Sequence, residues 1–141
     1  EIGAWPAERQ APAAARSMAC EMHAGFGALR AELPFNCRSR RSGVVPSPEA
    51  RDDIERIVSL WDQSRRVFAH DGPWLCGAFT IVDAMFAPVV LRFSTYGVEL
   101  PEPARTYSRT IHDHPAIREW VRDASAEVEV IAADERGQAS A

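Results

Sequence analysis

One stretch, Phe79 to Leu91, limits the folds open to this chain more than any other. Thr80 followed three residues later by Asp83 is a capping-box pattern: a hydroxyl and a carboxylate satisfy N–H groups that a helix start leaves unpaired. Phe79 and Ala84 stand at the positions of a hydrophobic staple. The helix that follows, Ala84-Met85-Phe86-Ala87-Pro88-Val89-Val90-Leu91, is apolar on nearly all sides. Such a helix belongs in the middle of a bundle rather than on a surface. Pro88 removes one backbone hydrogen bond and is expected to bend it. Tyr96-Gly97 supplies a stop.

The rest of the chain offers helices to surround that one. Met18, Met22, Phe26 and Leu29 recur every three or four residues, so the spacing predicts a first helix from about Pro12 to Leu33, stopped by Pro34. Gly25 and Gly27 each cost about 1 kcal/mol relative to alanine inside a helix. They imply either close packing against another backbone or a local irregularity. Cys37-Arg38-Ser39-Arg40-Arg41-Ser42-Gly43 reads as a basic loop. Ser47-Pro48-Glu49 then starts a long amphipathic helix through Ile54, Ile57, Val58, Trp61 and Phe68, because serine caps, proline fits the first turn and glutamate faces the positive dipole end. Asp71-Gly72-Pro73 ends it. Two shorter helices, about Pro103 to His112 and about Pro115 to Ala132, each open on proline. A frayed tail is expected from about Asp134. No segment alternates with period two, so the fold class is all-α, with about five helices.

Totals exclude several functions. The chain has 141 residues and a net charge of −4, and all 16 of its basic residues are arginine. An acidic chain without a clustered basic surface is poorly suited to nucleic acid, and Arg38, Arg40 and Arg41 on one loop are expected to be mainly solvated. No apolar run approaches the roughly 20 residues of a membrane span. Neither a signal peptide nor a disulfide framework is visible: Cys20, Cys37 and Cys76 are odd in number and irregular in spacing. Cytoplasm is the expected compartment. His112-Asp113-His114, and Cys20 with His23, each lack the further ligands a zinc site needs, so no metal is expected.

The run Gly72-Pro73-Trp74-Leu75-Cys76-Gly77-Ala78-Phe79-Thr80-Ile81-Val82-Asp83-Ala84 resembles the loop and capped central helix of cytosolic glutathione S-transferases. Glu21 to Arg30 looks like a bacterial subgroup of that family. So do Arg92-Phe93-Ser94-Thr95-Tyr96-Gly97 and His114-Pro115-Ala116-Ile117-Arg118-Glu119-Trp120, in the family's order across about residues 10 to 130. Cys76 departs from the bulky apolar residue more usual there, and Cys37 has no counterpart in the pattern.

The resemblance implies a helical C-terminal domain over residues 12–133, with 1–11 as a linker remnant and 134–141 as a disordered tail. It implies a thioredoxin-like N-terminal domain, absent from this chain, that holds glutathione as co-substrate. The chain alone is then expected to bind no cofactor, to carry no catalytic residue and to be inactive. With that domain it would form a homodimer conjugating glutathione to a small apolar electrophile. The first helix of the family helps form the dimer contact and the electrophile pocket, which points to Met22, His23, Phe26 and Arg30 as substrate-binding residues. Arg30 would steer an anionic group, or simply pair with Glu32 or a nearby acid. Met22 and Phe26 are also natural core residues. Thr80 and Asp83 are assigned to the capping box. A second reading is a non-catalytic docking or dimerisation module of the same fold.

Overall fold

The computed structural model describes residues 4–6, 11–68 and 72–139. Among these lie six α-helices: α1 (Ala11–Ala24), α2 (Gly27–Glu32), α3 (Pro48–Phe68), α4 (Ile81–Thr95), α5 (Glu102–Asp113) and α6 (Pro115–Ala126). Two two-residue strands, β1 (Arg41–Ser42) and β2 (Gln138–Ala139), pair antiparallel, with Arg41 opposite Ala139 and Ser42 opposite Gln138.

Helix α4 is the axis of the core. Val82, Phe86, Val89 and Val90 are fully buried, and Phe93 is nearly so. They are shared among neighbours: α4 packs on α1 and α5, while α3 packs on α2 and also reaches α1 and α5. The amphipathic stripe of α3 buries Ile57, Leu60, Trp61, Ser64 and Phe68 at helical spacing. Trp61, wholly buried, meets Phe86 edge-on at 5.8 Å and Tyr107 at 4.9 Å, arrangements that favour aromatic quadrupoles over face-to-face stacking. Pro88 sits within α4, and Ala84, whose carbonyl loses its helical partner to the proline, lies on the exposed side. At the other end Gly97 adopts φ +64° and Val98 N–H reaches back to the Phe93 carbonyl at 2.9 Å, a Schellman closure.

Both well-marked helix starts have their expected partners. Ser47 Oγ accepts from Ala50 N–H at 3.1 Å, and Glu32 in turn accepts from Ser47 N–H and Oγ at 2.8 and 2.6 Å. Thr80 and Asp83 close the reciprocal capping box, one arm running from Thr80 N–H to Asp83 Oδ2 at 2.9 Å.

Three expectations need correction. The predicted first helix is two, because Phe26 takes the left-handed conformation (φ 61°, ψ 44°) and turns the chain between α1 and α2. That conformation costs a non-glycine residue roughly 1–2 kcal/mol, and burial of the Phe26 ring, 6 % exposed, offsets it. The helices therefore number six among the described residues, and the last stops at Ala126, not near Ala132. Residues 134–139 are folded back rather than frayed: Glu135 is bound by Asn36, Arg38 and Arg41, and β2 lies on β1. Of the expected linker, only residues 4–6 and Ala11 are described, and Asp71 of the expected helix stop lies outside the described residues.

Candidate functional site

Two places in the fold concentrate polar chemistry on α1, α2 and α4: the α1–α2 elbow and the α4 N-terminus. At the elbow, Arg30 folds its guanidinium back onto the end of α1. Its Nε donates to the Gly25 carbonyl at 3.1 Å, and Nη2 donates to the carbonyls of His23, at 3.2 Å, and Met22. These are carbonyls that a helix C-terminus leaves unpaired, and a cation there also meets the negative dipole end. Arg30 therefore caps α1. Glu32, the acid offered by sequence as its alternative partner, is occupied at the start of α3. Of the four residues singled out by sequence, all at this elbow, Met22 and Phe26 are 5 % and 6 % exposed, Arg30 is half-buried and His23 is exposed.

At the α4 N-terminus, Asp83 is fully buried and collects four donors. Leu75 N–H and Tyr107 O–H approach Oδ1, each at 3.1 Å; Thr80 N–H and Oγ1 approach Oδ2 at 2.9 and 3.2 Å. One carboxylate thus ties the loop before α4, the cap and α5 together. Burial pushes its pKa up in spite of these donors, and burial together with the Asp83 charge pushes the Tyr107 hydroxyl well above its ordinary value. A perturbed carboxylate in a cleft suggests acid–base work, but with no exposed surface Asp83 touches no substrate. Its work is structural. Tyr107, 24 residues away, is the partner that sequence spacing gave no means of finding.

Beside this network α4 shows the solvent an apolar stripe: Ile81 and Ala84 are exposed, Met85 and Pro88 half-buried. The N-terminal segment meets it, since the Ala4 carbonyl accepts from Ile81 N–H at 2.9 Å and Trp5 is 40 % exposed. Ring contacts border the same end: Phe79 stacks on His114 at 4.2 Å, and Trp74 meets Phe79 edge-on at 4.9 Å. The loop here is tight, because a side chain at Gly72 would lie 2.4 Å from the Gly77 carbonyl oxygen. An open cleft of about 410 Å³ between α1 and α3 has an apolar floor of Met18, Leu60 and Phe68, rimmed by the ion pair of Glu21 and Arg56 at 2.7 Å.

The remaining sequence candidates are separated. His112 shares a 2.6 Å hydrogen bond with Ser94 while His114 stacks on Phe79, so the two histidines turn apart. Burial lowers the His112 pKa. Among the described residues no group of three or more His, Cys, Asp or Glu is placed to hold a metal ion, and no helix is long and apolar enough to cross a membrane. Cys20 is exposed, Cys37 half-buried and Cys76 buried, and burial raises the thiol pKa of the latter two.

No curated protein matches the chain. A family model described as the glutathione S-transferase C-terminal domain matches residues 11–123, from the first residue of α1 almost to the end of α6. A central helix opened by a Thr-x-x-Asp box and enclosed by the other helices is what the sequence resemblance implied, and the match covers most of the chain. The chain belongs to the glutathione S-transferase C-terminal domain family.

Proposed function

We propose that this chain is the helical, electrophile-binding domain of a glutathione transferase, active when joined to a thioredoxin-like domain that holds glutathione. The observation that supports this most is the apolar stripe of Ile81, Ala84, Met85 and Pro88 on an otherwise enclosed helix. Exposed apolar surface of this kind marks a contact for another body. The N-terminal segment lies against the same end of α4 through Ala4, so polypeptide upstream would be delivered to this face.

In this reading the neighbouring domain lowers the pKa of the glutathione thiol, since thiolate is the nucleophile. The thiolate attacks an electrophilic carbon, the carbon–sulfur bond forms, and a leaving group such as halide departs with its electron pair. The helical domain contributes an apolar wall. His23 offers the exposed polar group at the elbow, while Met22, Phe26 and Arg30 fix the elbow's shape and with it the placing of an anionic group. A cytoplasmic homodimer is the assembly that fits this role.

The isolated 141 residues should show no glutathione-dependent turnover of a generic aromatic halide. Fusion to a glutathione-binding thioredoxin-like domain should restore it, and Ile81→Asp in the fusion should remove it again. Robust turnover by the isolated chain would defeat the reading. So would a fusion indifferent to Ile81→Asp, which would favour a docking module whose partner binds elsewhere.

A further inference from the structure

The segment after α6 is a departure from the expected tail: it is held by polar side-chain contacts and, at its far end, by the backbone pairing of β2 with β1. Residues 127–139 contain no α-helix, only a 3-10 turn at Ala132–Asp134 and the two residues of β2. Over residues 127–139 the sequence holds four acids and one base, Arg136. The loop it crosses carries Arg38, Arg40 and Arg41. Arg38 Nη1 donates to the carbonyls of Glu127 and Glu129 at 3.2 and 3.0 Å, while its Nη2 reaches Glu135 Oε1 at 3.3 Å. Asn36 Nδ2 donates to the same oxygen at 3.0 Å, and Arg41 holds Oε2. One carboxylate thus receives three side chains of the loop, and one arginine stitches both ends of the segment.

Apolar burial contributes little here. Val128, Val130 and Ile131 are 95 %, 57 % and 64 % exposed. Besides the short β1–β2 pairing, the attachment is therefore carried by charge-assisted hydrogen bonds between partly exposed groups, which salt screens and which a single loss weakens. Between segment and loop is a hollow of about 140 Å³, lined by Phe35, Cys37 and Ala124 on one side and by Glu127, Ile131 and Glu135 on the other. Arg41 and Glu135 are only 13 % and 23 % exposed at their side chains, so the attached segment hides much of the loop's charge.

We propose that residues 127–139 are an acidic strap that masks the basic loop in cis, and that it opens as a unit when the clasp at Glu135 is broken, baring Arg38, Arg41 and Cys37. The strap answers for the basic cluster in the sequence: two of its three arginines are neutralised internally rather than simply solvated. It does not depend on the proposed transferase role.

The full chain carries its own reporters. Cys20 is exposed, Cys37 is half-buried and lines the hollow between strap and loop, and Cys76 is buried in the core. Pulse alkylation with iodoacetamide, mapped by peptide, should show Cys37 reacting about fivefold faster in Glu135→Gln than in the unaltered chain, the change expected when a closing equilibrium loses a partly exposed ion pair at the top of its usual range. Raising salt should accelerate Cys37 in the unaltered chain, and amides of residues 128–139 should exchange faster in the variant. Cys20 and Cys76 should keep their rates. An unchanged Cys37, strap amides that stay protected, or a Cys76 rate rising in step with Cys37 would each overturn the proposal.

Discussion

Asp83 and Glu135 are both carboxylates gripped by several donors, yet they do opposite things for the fold. Asp83 has no exposed surface and binds two backbone N–H groups, a threonine hydroxyl and a tyrosine hydroxyl. Glu135, 23 % exposed at its side chain, binds Asn36 and two arginines. Around Asp83 water cannot replace a lost partner, so every donor left behind keeps its full desolvation penalty. Around Glu135 water and salt can stand in, so its three contacts hold a segment that can leave. The depth of a hydrogen-bond cluster, rather than its size, separates a structural knot from a clasp.

The largest way to break this comparison is Asp83→Ala, which strands Leu75 N–H, Thr80 N–H and Tyr107 O–H and should cost about 3–5 kcal/mol in denaturant unfolding. A loss below about 1 kcal/mol would mean that the cluster relaxes like a surface one. Asp83 also sets a pH dependence. Its pKa is raised in the fold, so its contribution is fully present below the ordinary aspartate value and is lost as pH rises through the raised one. Asp83→Asn cannot titrate, so the unaltered protein should lose stability relative to it as pH climbs from acid towards neutral; the opposite slope would show the four donors outweighing burial.

Tyr107→Phe removes one donor of the four and should cost about 1.5–3 kcal/mol, the range for a hydrogen bond to a charged group. Arg30→Ala uncaps α1 and is expected to cost about 1 kcal/mol, because water reaches part of that helix end. A much larger loss would indicate that the elbow, with Phe26 in its left-handed turn, depends on the arginine. Glu135→Gln should change global stability by less than about 1 kcal/mol while freeing the strap. Equal costs for Glu135→Gln and Asp83→Ala would erase the distinction.

These two regions also differ in how far the sequence announced them. Thr80 and Asp83 are three residues apart, and local spacing alone identified their box, the apolar helix behind it and its place in the core. Ser47-Pro48-Glu49 announced α3 for the same reason. Glycines at 25 and 27 signalled trouble in the first helix, but not that Phe26 between them would take the positive φ. From sequence Arg30 reads as a steering group or as a partner for Glu32 or a nearby acid, because periodicity places a side chain on a helix face without saying that an upstream kink leaves carbonyls for it to cap. The clasp joins Asn36 to Glu135, a separation of 99 residues, and no local pattern encodes such a pairing. Segments held by long-range polar contacts look like loops and tails until the fold brings their partners together.

Native-state amide exchange tests the distinction most directly. Leu75 and Thr80, whose N–H groups end on the buried Asp83 carboxylate, should open only with global unfolding and stay insensitive to salt, while amides of residues 128–139 exchange far sooner and faster still as salt rises. Comparable protection at the two places, or a salt-sensitive Leu75, would contradict the account.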